Sequence, residues 1–400
     1  MDFPLINLDQ SRKTFHEIRR LPVQNFWRTY FELCGRSDIL AKPEFSDYFS
    51  WKPNRSNCPD IENLMDQLIE TIPEAWRARA RKIFAGRNLD GVANAEAWRD
   101  GEVGVIEINY GITSAAMIYS VLYCKYYEMV HTLGNDVDFT DDDQEALLMI
   151  LEEVGDSGFT PILVADRERE SWLSDRSVFA GHELLRELPT SRSEEDYHNV
   201  VRSIEEFVLA HELAHHLLGH TVDAYPRSRQ NEIYLDSVMR KYGIELPDEE
   251  LNDDQLQEMK ADILALLMTT GALLDEATAP RVYRALAGSV IGLTALAHIY
   301  DTWVVSDSSG ETHPDFLTRF SCAAQVITCI SKRIPVGSEG GHPIGFMNQL
   351  SGFVSIILNN WLAKHLEDRQ PVNVLGLTSW LFEQSQEVEK ELERLGLRTS

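Results

Sequence analysis

The sequence predicts an α+β fold in which helices predominate and a small β-sheet precedes the central helix. Two long segments, 193–218 and 253–274, read as strong helices; the first carries apolar residues at helical spacing and contains neither glycine nor proline. Two short segments, 103–110 and 160–165, are predicted strands, the first from its β-branched residues and partial alternation. Strands that precede such helices indicate a small sheet beside a helical core.

Length and composition set the scale of the fold. The chain has 400 residues, of which 44% are hydrophobic, enough for a large globular body of one to three domains. We divide it into an N-terminal helical region at 1–100, a central region at 101–334 and a C-terminal helical region at 335–400. The glycine-rich segment 335–343 marks the last boundary.

Charge and cysteine usage restrict the partners and the compartment. With 37 basic and 64 acidic residues the formal net charge is −27, which argues against non-specific binding to nucleic acid or anionic membranes. The cysteines are odd in number and form no C-x-x-C pair, so free thiols in a reducing compartment are expected. Residues 1–20 lack the apolar stretch of a signal peptide. We therefore expect a cytoplasmic protein. The cysteines are Cys34, Cys58, Cys124, Cys322 and Cys329.

The N-terminal region is predicted to be mainly helical. Segments 23–40 and 61–72 carry apolar residues at helical spacing, and segment 73–85 follows them. The strand at 103–110 is expected to end at Gly111, before a further helix at 113–133.

The remaining segments complete the predicted order. The acidic segment 136–143 lacks the glycine and final glutamate of a calcium loop, and 223–247 is polar and loosely patterned. The apolar part of the helix predicted at 282–299 is about 15 residues long, short of the roughly 20 that span a bilayer, so we expect a buried core helix. Helices at 345–365 and 378–395 close the chain.

The central helix carries the sequence His-Glu-Leu-Ala-His at positions 211–215. Residues four apart share one helix face, so His211 and His215 can present their imidazoles to one metal ion. Glu212 is too close in sequence to be a comfortable third ligand but is placed to accept a proton from an attacking water. Burying these polar groups in an apolar helix is costly unless a partner satisfies them. The motif therefore predicts a catalytic zinc site.

A catalytic zinc usually takes a third protein ligand, and Glu258 is the best candidate. Asp262 lies four residues later on the same helix face, where it can hold the free ring nitrogen of a ligating histidine. Glu232 and Asp236 repeat this spacing closer to the motif, but their neighbours are those of a solvated helix, so Glu258 is preferred. Two further histidines, at positions 216 and 220, are predicted to lie off the metal face, at the helix end or the surface.

These motifs resemble those of the gluzincin metallopeptidases, especially the M48 type, whose third-ligand motif has the form E-x-x-A-D. The resemblance covers roughly residues 200–320 and includes His313-Pro314 followed by Arg319. Cytoplasmic regulatory and phage-exclusion proteases of the ImmA/IrrE and Lit types are similar in motif. The resemblance implies a zincin-like core, a bound zinc ion, and a role for His313 or Arg319 in stabilising the oxyanion or holding substrate backbone.

The sequence thus predicts a zinc-dependent metalloendopeptidase with Glu212 as general base and a protein or peptide as substrate. A strand, 103–109 or 160–165, is expected to pair with extended substrate as an added edge strand. The alternative is a non-catalytic zinc-binding scaffold with a zincin fold, which would keep the ligands without needing Glu212. The intact glutamate favours the enzyme. Its expected role is that of an intracellular bacterial regulatory or defence protease.

Overall fold

The computed structural model of the protein is mostly helical and contains one three-stranded sheet, which confirms the predicted α+β class. It describes residues 8–33, 37–43, 57–101, 103–132, 191–221, 229–246, 251–300, 302, 313–334, 346–347, 349–354 and 357–358. The segments predicted at 136–143, 160–165 and 378–395 lie outside the described residues, and the one predicted at 345–365 lies partly outside them.

Short helices form the N-terminal part of the described chain. The predicted helix at 61–72 is present as Pro59–Glu70, with proline in the first turn, where a missing N–H costs no hydrogen bond. Within the predicted helical segment 23–40, the structure describes helices at Phe26–Leu33 and Ser37–Leu40. In order, these elements are α1 (Leu8–Arg19), α2 (Phe26–Leu33), α3 (Ser37–Leu40), α4 (Pro59–Glu70) and α5 (Glu74–Ala80).

The sheet has the strand order β1-β3-β2, with β1 (Ile83–Asn88), β2 (Ala95–Asp100) and β3 (Val103–Asn109). Strand β3 pairs in parallel with β1 and antiparallel with β2. The predicted helix at 73–85 is therefore wrong beyond Ala80. Every residue of β1 is buried, so the alternation that identifies a half-exposed strand is missing from its sequence.

The sheet crosses position 100, which we predicted as the boundary between the N-terminal and central regions. Strand β2 ends at Asp100 and pairs with β3, which follows it. The predicted strand at 103–110 is present as β3, but its predicted edge role is wrong, since partners on both sides satisfy its backbone. Among the described strands, β2 lies at an edge of the sheet instead. The second predicted edge strand, at 160–165, lies outside the described residues.

Longer helices build the core around one central helix, α7, which packs against α6, α9, α10 and the sheet. The segment 223–247, read as loosely patterned, contains helix α8, which buries one apolar face. The predictions for the helices at 193–218, 253–274 and 282–299 are confirmed with small shifts in their ends. The elements are α6 (Tyr110–Thr132), α7 (Ser191–Leu218), α8 (Arg229–Tyr242), α9 (Asp253–Thr270), α10 (Ala279–Tyr300) and α11 (Phe316–Ser331).

Helix α10 is, among the described residues, long and apolar enough by length and composition to cross a membrane. In this structure 78% of its apolar stretch is buried, and it packs on α7 as the predicted core helix. Gly288 makes the close approach possible, because a side chain there would overlap the backbone oxygen of Ser203 in α7.

Candidate active site

The paired histidines lie in the last turns of α7, at the centre of the core. His211 and His215 are both at least four-fifths buried in side chain, and their Nε2 atoms lie 3.0 Å apart. The helix ends at Leu218 and is followed by Gly219, whose φ of +83° is the left-handed conformation that glycine adopts most easily. The two imidazoles therefore converge on one point, as their spacing predicts.

Helix α9 brings Glu258 to the same point. The helix begins with a capping box between Asn252 and Gln255, which satisfies N–H groups of its first turn. Glu258 Oε2 lies 3.2 Å from His211 Nε2, and Oε1 lies 3.3 Å from His215 Nε2. Within the described part of the chain, these three side chains form the one group whose potential metal ligands all lie within 4.8 Å of each other.

The rival glutamate points elsewhere. Glu232 lies in α8, and its Oε1 is 3.7 Å from the Nζ of Lys260, with which it forms an ion pair. It does not belong to the group formed by His211, His215 and Glu258. Of the two glutamates, the structure thus places only Glu258 beside the histidines.

The donor atoms of this group fit a bound cation. His211 Nδ1 lies 2.8 Å from Asp262 Oδ1, so Nδ1–H donates to this carboxylate and Nε2 is the ring nitrogen that faces the group. Glu258 Oε2 is buried and accepts no hydrogen bond of good geometry from the described residues. A buried carboxylate oxygen facing two imidazole nitrogens needs a positive charge between them. Two nitrogens and one carboxylate also form a common ligand set of catalytic zinc.

The ionisation of the group leads to the same conclusion. Burial opposes protonation, yet the adjacent carboxylates of Asp262 and Glu258 raise the pKa of His211 to about 10. Burial and the charge on His211 lower the pKa of His215. Although burial raises the pKa of Glu258, contact with the histidines holds it well below the usual range. The carboxylates thus favour a positive charge beside them, which either a second proton on His211 or a bound cation would supply.

Glu212 lies between α7 and the edge strand. Its side chain is buried, and the backbone N–H of Ala97 in β2 faces its carboxylate and favours the ionised form. Burial raises the pKa of Glu212 to about 7. A carboxylate with a pKa near neutrality can both accept and return a proton under ordinary conditions.

The predicted outer residues also reach the site. Arg319, in α11, donates hydrogen bonds of 2.8 Å to both carboxylate oxygens of Asp262. His313 lies just before α11, with its Nε2 3.2 Å from Glu258 Oε2 and its side chain 57% exposed. His313 therefore lies at the accessible side of the three converging ligands, while Arg319 makes its hydrogen bonds to Asp262 behind them.

The two neighbouring histidines lie at the end of α7 and outside the group of converging ligand atoms, as predicted. His216, in the last turn, is buried rather than at the surface, and its Nε2 donates to the backbone oxygen of Val105 in β3 at 2.9 Å. His220 is half-buried, and its Nδ1 lies 3.1 Å from His215 Nδ1. Spacing along a helix could not place His220, because the chain reverses at Gly219.

A buried arginine, which no sequence motif identifies, holds α7 in place. Arg87 in β1 is fully buried and donates hydrogen bonds of 2.8 Å to Glu205 in α7 and to Asp60 in α4. It also contacts Thr113 in α6. A lone arginine in a short strand belongs to no motif, so its role appears only when the elements are packed together. These contacts tie the helix that carries the histidines to the sheet and to α4.

Comparison with known proteins identifies one family. The sequence model of peptidase U49 matches residues 116–333, which is more than half of the chain. The match includes α7, α9, His313 and Arg319, and it begins after the sheet. No curated protein and no solved structure gives a significant match to the chain.

Proposed function

Because the chain belongs to the peptidase U49 family, we propose that it is a zinc-dependent metalloendopeptidase with a zincin-like core of the gluzincin type. The observation that carries the proposal is the convergence of His211, His215 and Glu258, with Glu212 beside them. A peptidase whose buried site contains this ligand set and an adjacent carboxylate has the parts that metal-assisted peptide hydrolysis requires.

His211 Nε2, His215 Nε2 and a Glu258 carboxylate oxygen would hold the ion. Zinc supplies, when bound, the positive charge that polarises the scissile carbonyl and makes water nucleophilic near neutral pH. Asp262 keeps the His211 proton on Nδ1, which leaves Nε2 free as a ligand.

Glu212 is the proposed general base. Its carboxylate accepts the proton of the attacking water and then delivers it to the leaving nitrogen of the peptide. The Ala97 N–H faces this carboxylate and favours its ionised form, and burial keeps its pKa near neutrality. Both features support a residue that transfers one proton twice in each turnover.

Strand β2 is the proposed substrate-binding edge. It pairs with β3 along one side, and the N–H of Ala97 faces Glu212 rather than a strand partner. An extended peptide added along this side would lie next to the general base, with backbone hydrogen bonds supplying affinity independent of sequence. His313, at the accessible side of the group, is the proposed donor to the developing oxyanion.

The wider role follows from composition. A net charge of −27 disfavours nucleic acid as a partner, so protein or peptide is the proposed substrate. Of the cysteines, Cys58, Cys124, Cys322 and Cys329 are free thiols in the structure, which supports a proposed reducing, cytoplasmic setting. An intracellular regulatory or defence protease is the proposed biological class.

Metal removal tests the proposal. The purified protein is analysed for zinc, stripped with a chelator and reloaded with zinc or magnesium, and each form is incubated with a cellular lysate. We expect one zinc per chain, cleavage that is lost on stripping, and recovery with zinc alone. The His211→Ala variant is the matched control for contaminating proteases. Zinc binding without any cleavage would favour the non-catalytic scaffold, and a chelator-insensitive activity would contradict the metal mechanism.

A further inference from the structure

The chain reverses direction directly after the second histidine of the motif. The N–H groups of Gly219 and His220 both donate to the backbone oxygen of His215, at 3.0 Å and 2.9 Å. Gly219 adopts a φ of +83°, which lets the chain fold back over the last turn of α7. This turn brings the His220 side chain to the ligand that precedes it by five residues.

The contact uses the ring nitrogen that faces away from the metal-ligand group. His220 Nδ1 lies 3.1 Å from His215 Nδ1, and the two rings meet edge to face with centroids 5.2 Å apart. The other nitrogen of His215, Nε2, faces His211 and Glu258. His220 thus contacts the Nδ1 atom of His215 in the same way that Asp262 contacts the Nδ1 atom of His211. In each ring, Nε2 is left to face the converging ligands.

We propose that His220 is a positioning residue for the metal ligand His215, an inference that rests on the proposed zinc function. A hydrogen bond between two imidazole nitrogens requires one to carry the proton and the other to offer a lone pair. With His215 Nδ1–H as donor and His220 Nδ1 as acceptor, the lone pair of His215 Nε2 faces the ion. The contact fixes both the tautomer and the ring orientation of the ligand.

The two ligand histidines are then held by chemically different partners. Asp262 is a charged acceptor fixed by Arg319, whereas His220 is a neutral acceptor placed by a turn. A neutral partner gives the weaker hydrogen bond. His220 itself is not a ligand in this account, since its Nδ1 is directed at His215 and it lies outside the group of converging ligand atoms.

Zinc affinity measured by competition with a chromophoric chelator tests this role. The dissociation constant is compared between the wild type, His220→Ala, His220→Asn and His198→Ala. We expect His220→Ala to weaken zinc binding roughly 10–100-fold while one zinc per chain still binds at saturation. His220→Asn should recover most of the affinity, because its side-chain oxygen can accept the same hydrogen bond. His198, exposed near the start of the same helix, serves as the matched control and should leave affinity unchanged.

The outcomes separate this inference from the function on which it rests. A wild type that binds no zinc overturns both. A wild type that binds zinc with His220→Ala unchanged overturns the positioning role alone. Equal loss in His220→Ala and His220→Asn, with less than one zinc at saturation, would make His220 a ligand and also overturn it. Thermal unfolding of the metal-free variants should match the wild type, since a general loss of structure is not part of the proposed effect.

Discussion

Arg319 donates hydrogen bonds of 2.8 Å to both carboxylate oxygens of Asp262, and the same carboxylate accepts a hydrogen bond of 2.8 Å from His211 Nδ1. Three helices, α11, α9 and α7, are connected by this chain of hydrogen bonds. Burial alone would raise the pKa of Asp262, but the guanidinium of Arg319 and His211 lower it to about 2. The carboxylate therefore stays ionised and holds the His211 ring with a charged hydrogen bond.

Substitutions in this series of hydrogen bonds should distinguish an effect on zinc affinity from an effect on the free energy of unfolding. Asp262→Asn keeps the shape but loses the charge, so zinc affinity should fall roughly 10–100-fold, measured by chelator competition. Arg319→Ala leaves a buried carboxylate without its cation and should lower the free energy of unfolding by about 3–5 kcal/mol in urea titrations. Arg319→Lys is the matched control and should lose less. Unchanged affinity in Asp262→Asn would mean that Asp262 does not act on the ligand.

Zinc content should respond differently to removal of Glu258 and of Glu232, the two candidates for the third ligand. Glu258→Ala removes a carboxylate that faces both histidines, so bound zinc after gel filtration should drop well below one per chain. Glu232→Ala removes only the partner of Lys260 and should retain full zinc content. The reverse pattern would show that the metal lies nearer α8 and that the ligand group is incorrectly identified.

His313 should affect the rate without affecting the metal. An oxyanion donor acts only on charge that develops during the reaction, so His313→Ala should lower kcat roughly 10²–10³-fold at unchanged zinc content. KM should change little, because the proposed substrate contacts lie mainly along β2. The contact of 3.2 Å with Glu258 offers another role, support of the ligand. Loss of zinc together with activity would favour that support and exclude a purely catalytic role.

Two glycines in α10 provide a test of how closely the helices pack. A Cβ at Gly288 would overlap the backbone oxygen of Ser203 in α7, whereas one at Gly292 would lie 3.3 Å from the side chain of Ile204. Gly288→Ala should therefore lower the free energy of unfolding by about 1–3 kcal/mol despite the better helix propensity of alanine. Gly292→Ala is the matched control and should be close to neutral. Equal values for both would contradict the described helix contact.

Local spacing made much of the site predictable. The i, i+4 relation placed His211 beside His215, and the same relation placed Glu258 beside Asp262 on one face of α9. These pairs depend only on helix geometry, so the spacing of the residues in the sequence is enough to predict them. The choice of Glu258 over Glu232 also came from the sequence, since an apolar run buries one helix and charged neighbours solvate the other.

Features that depend on packing or on chain reversal were not predictable in the same way. Strand β1 shows no alternation because both of its faces are buried, so helical patterning wrongly extends the predicted helix at 73–85 into its first three residues. Arg87 meets Glu205 across 118 positions, a relation that no local pattern displays. His220 contacts His215 because Gly219 adopts a left-handed conformation and turns the chain back. Helical spacing does not include such a turn, so it could not predict this contact.

In the proposed mechanism Glu212 moves the proton while His211, His215 and Glu258 hold the metal. Zinc content and peptide-bond cleavage are measured on the same preparations of wild type and Glu212→Gln, whose side chains differ little in size. We expect one zinc per chain in both proteins and a rate roughly 10²–10⁴-fold lower in the variant, since the amide cannot accept the proton. Cleavage by Glu212→Gln at the wild-type rate would contradict this mechanism.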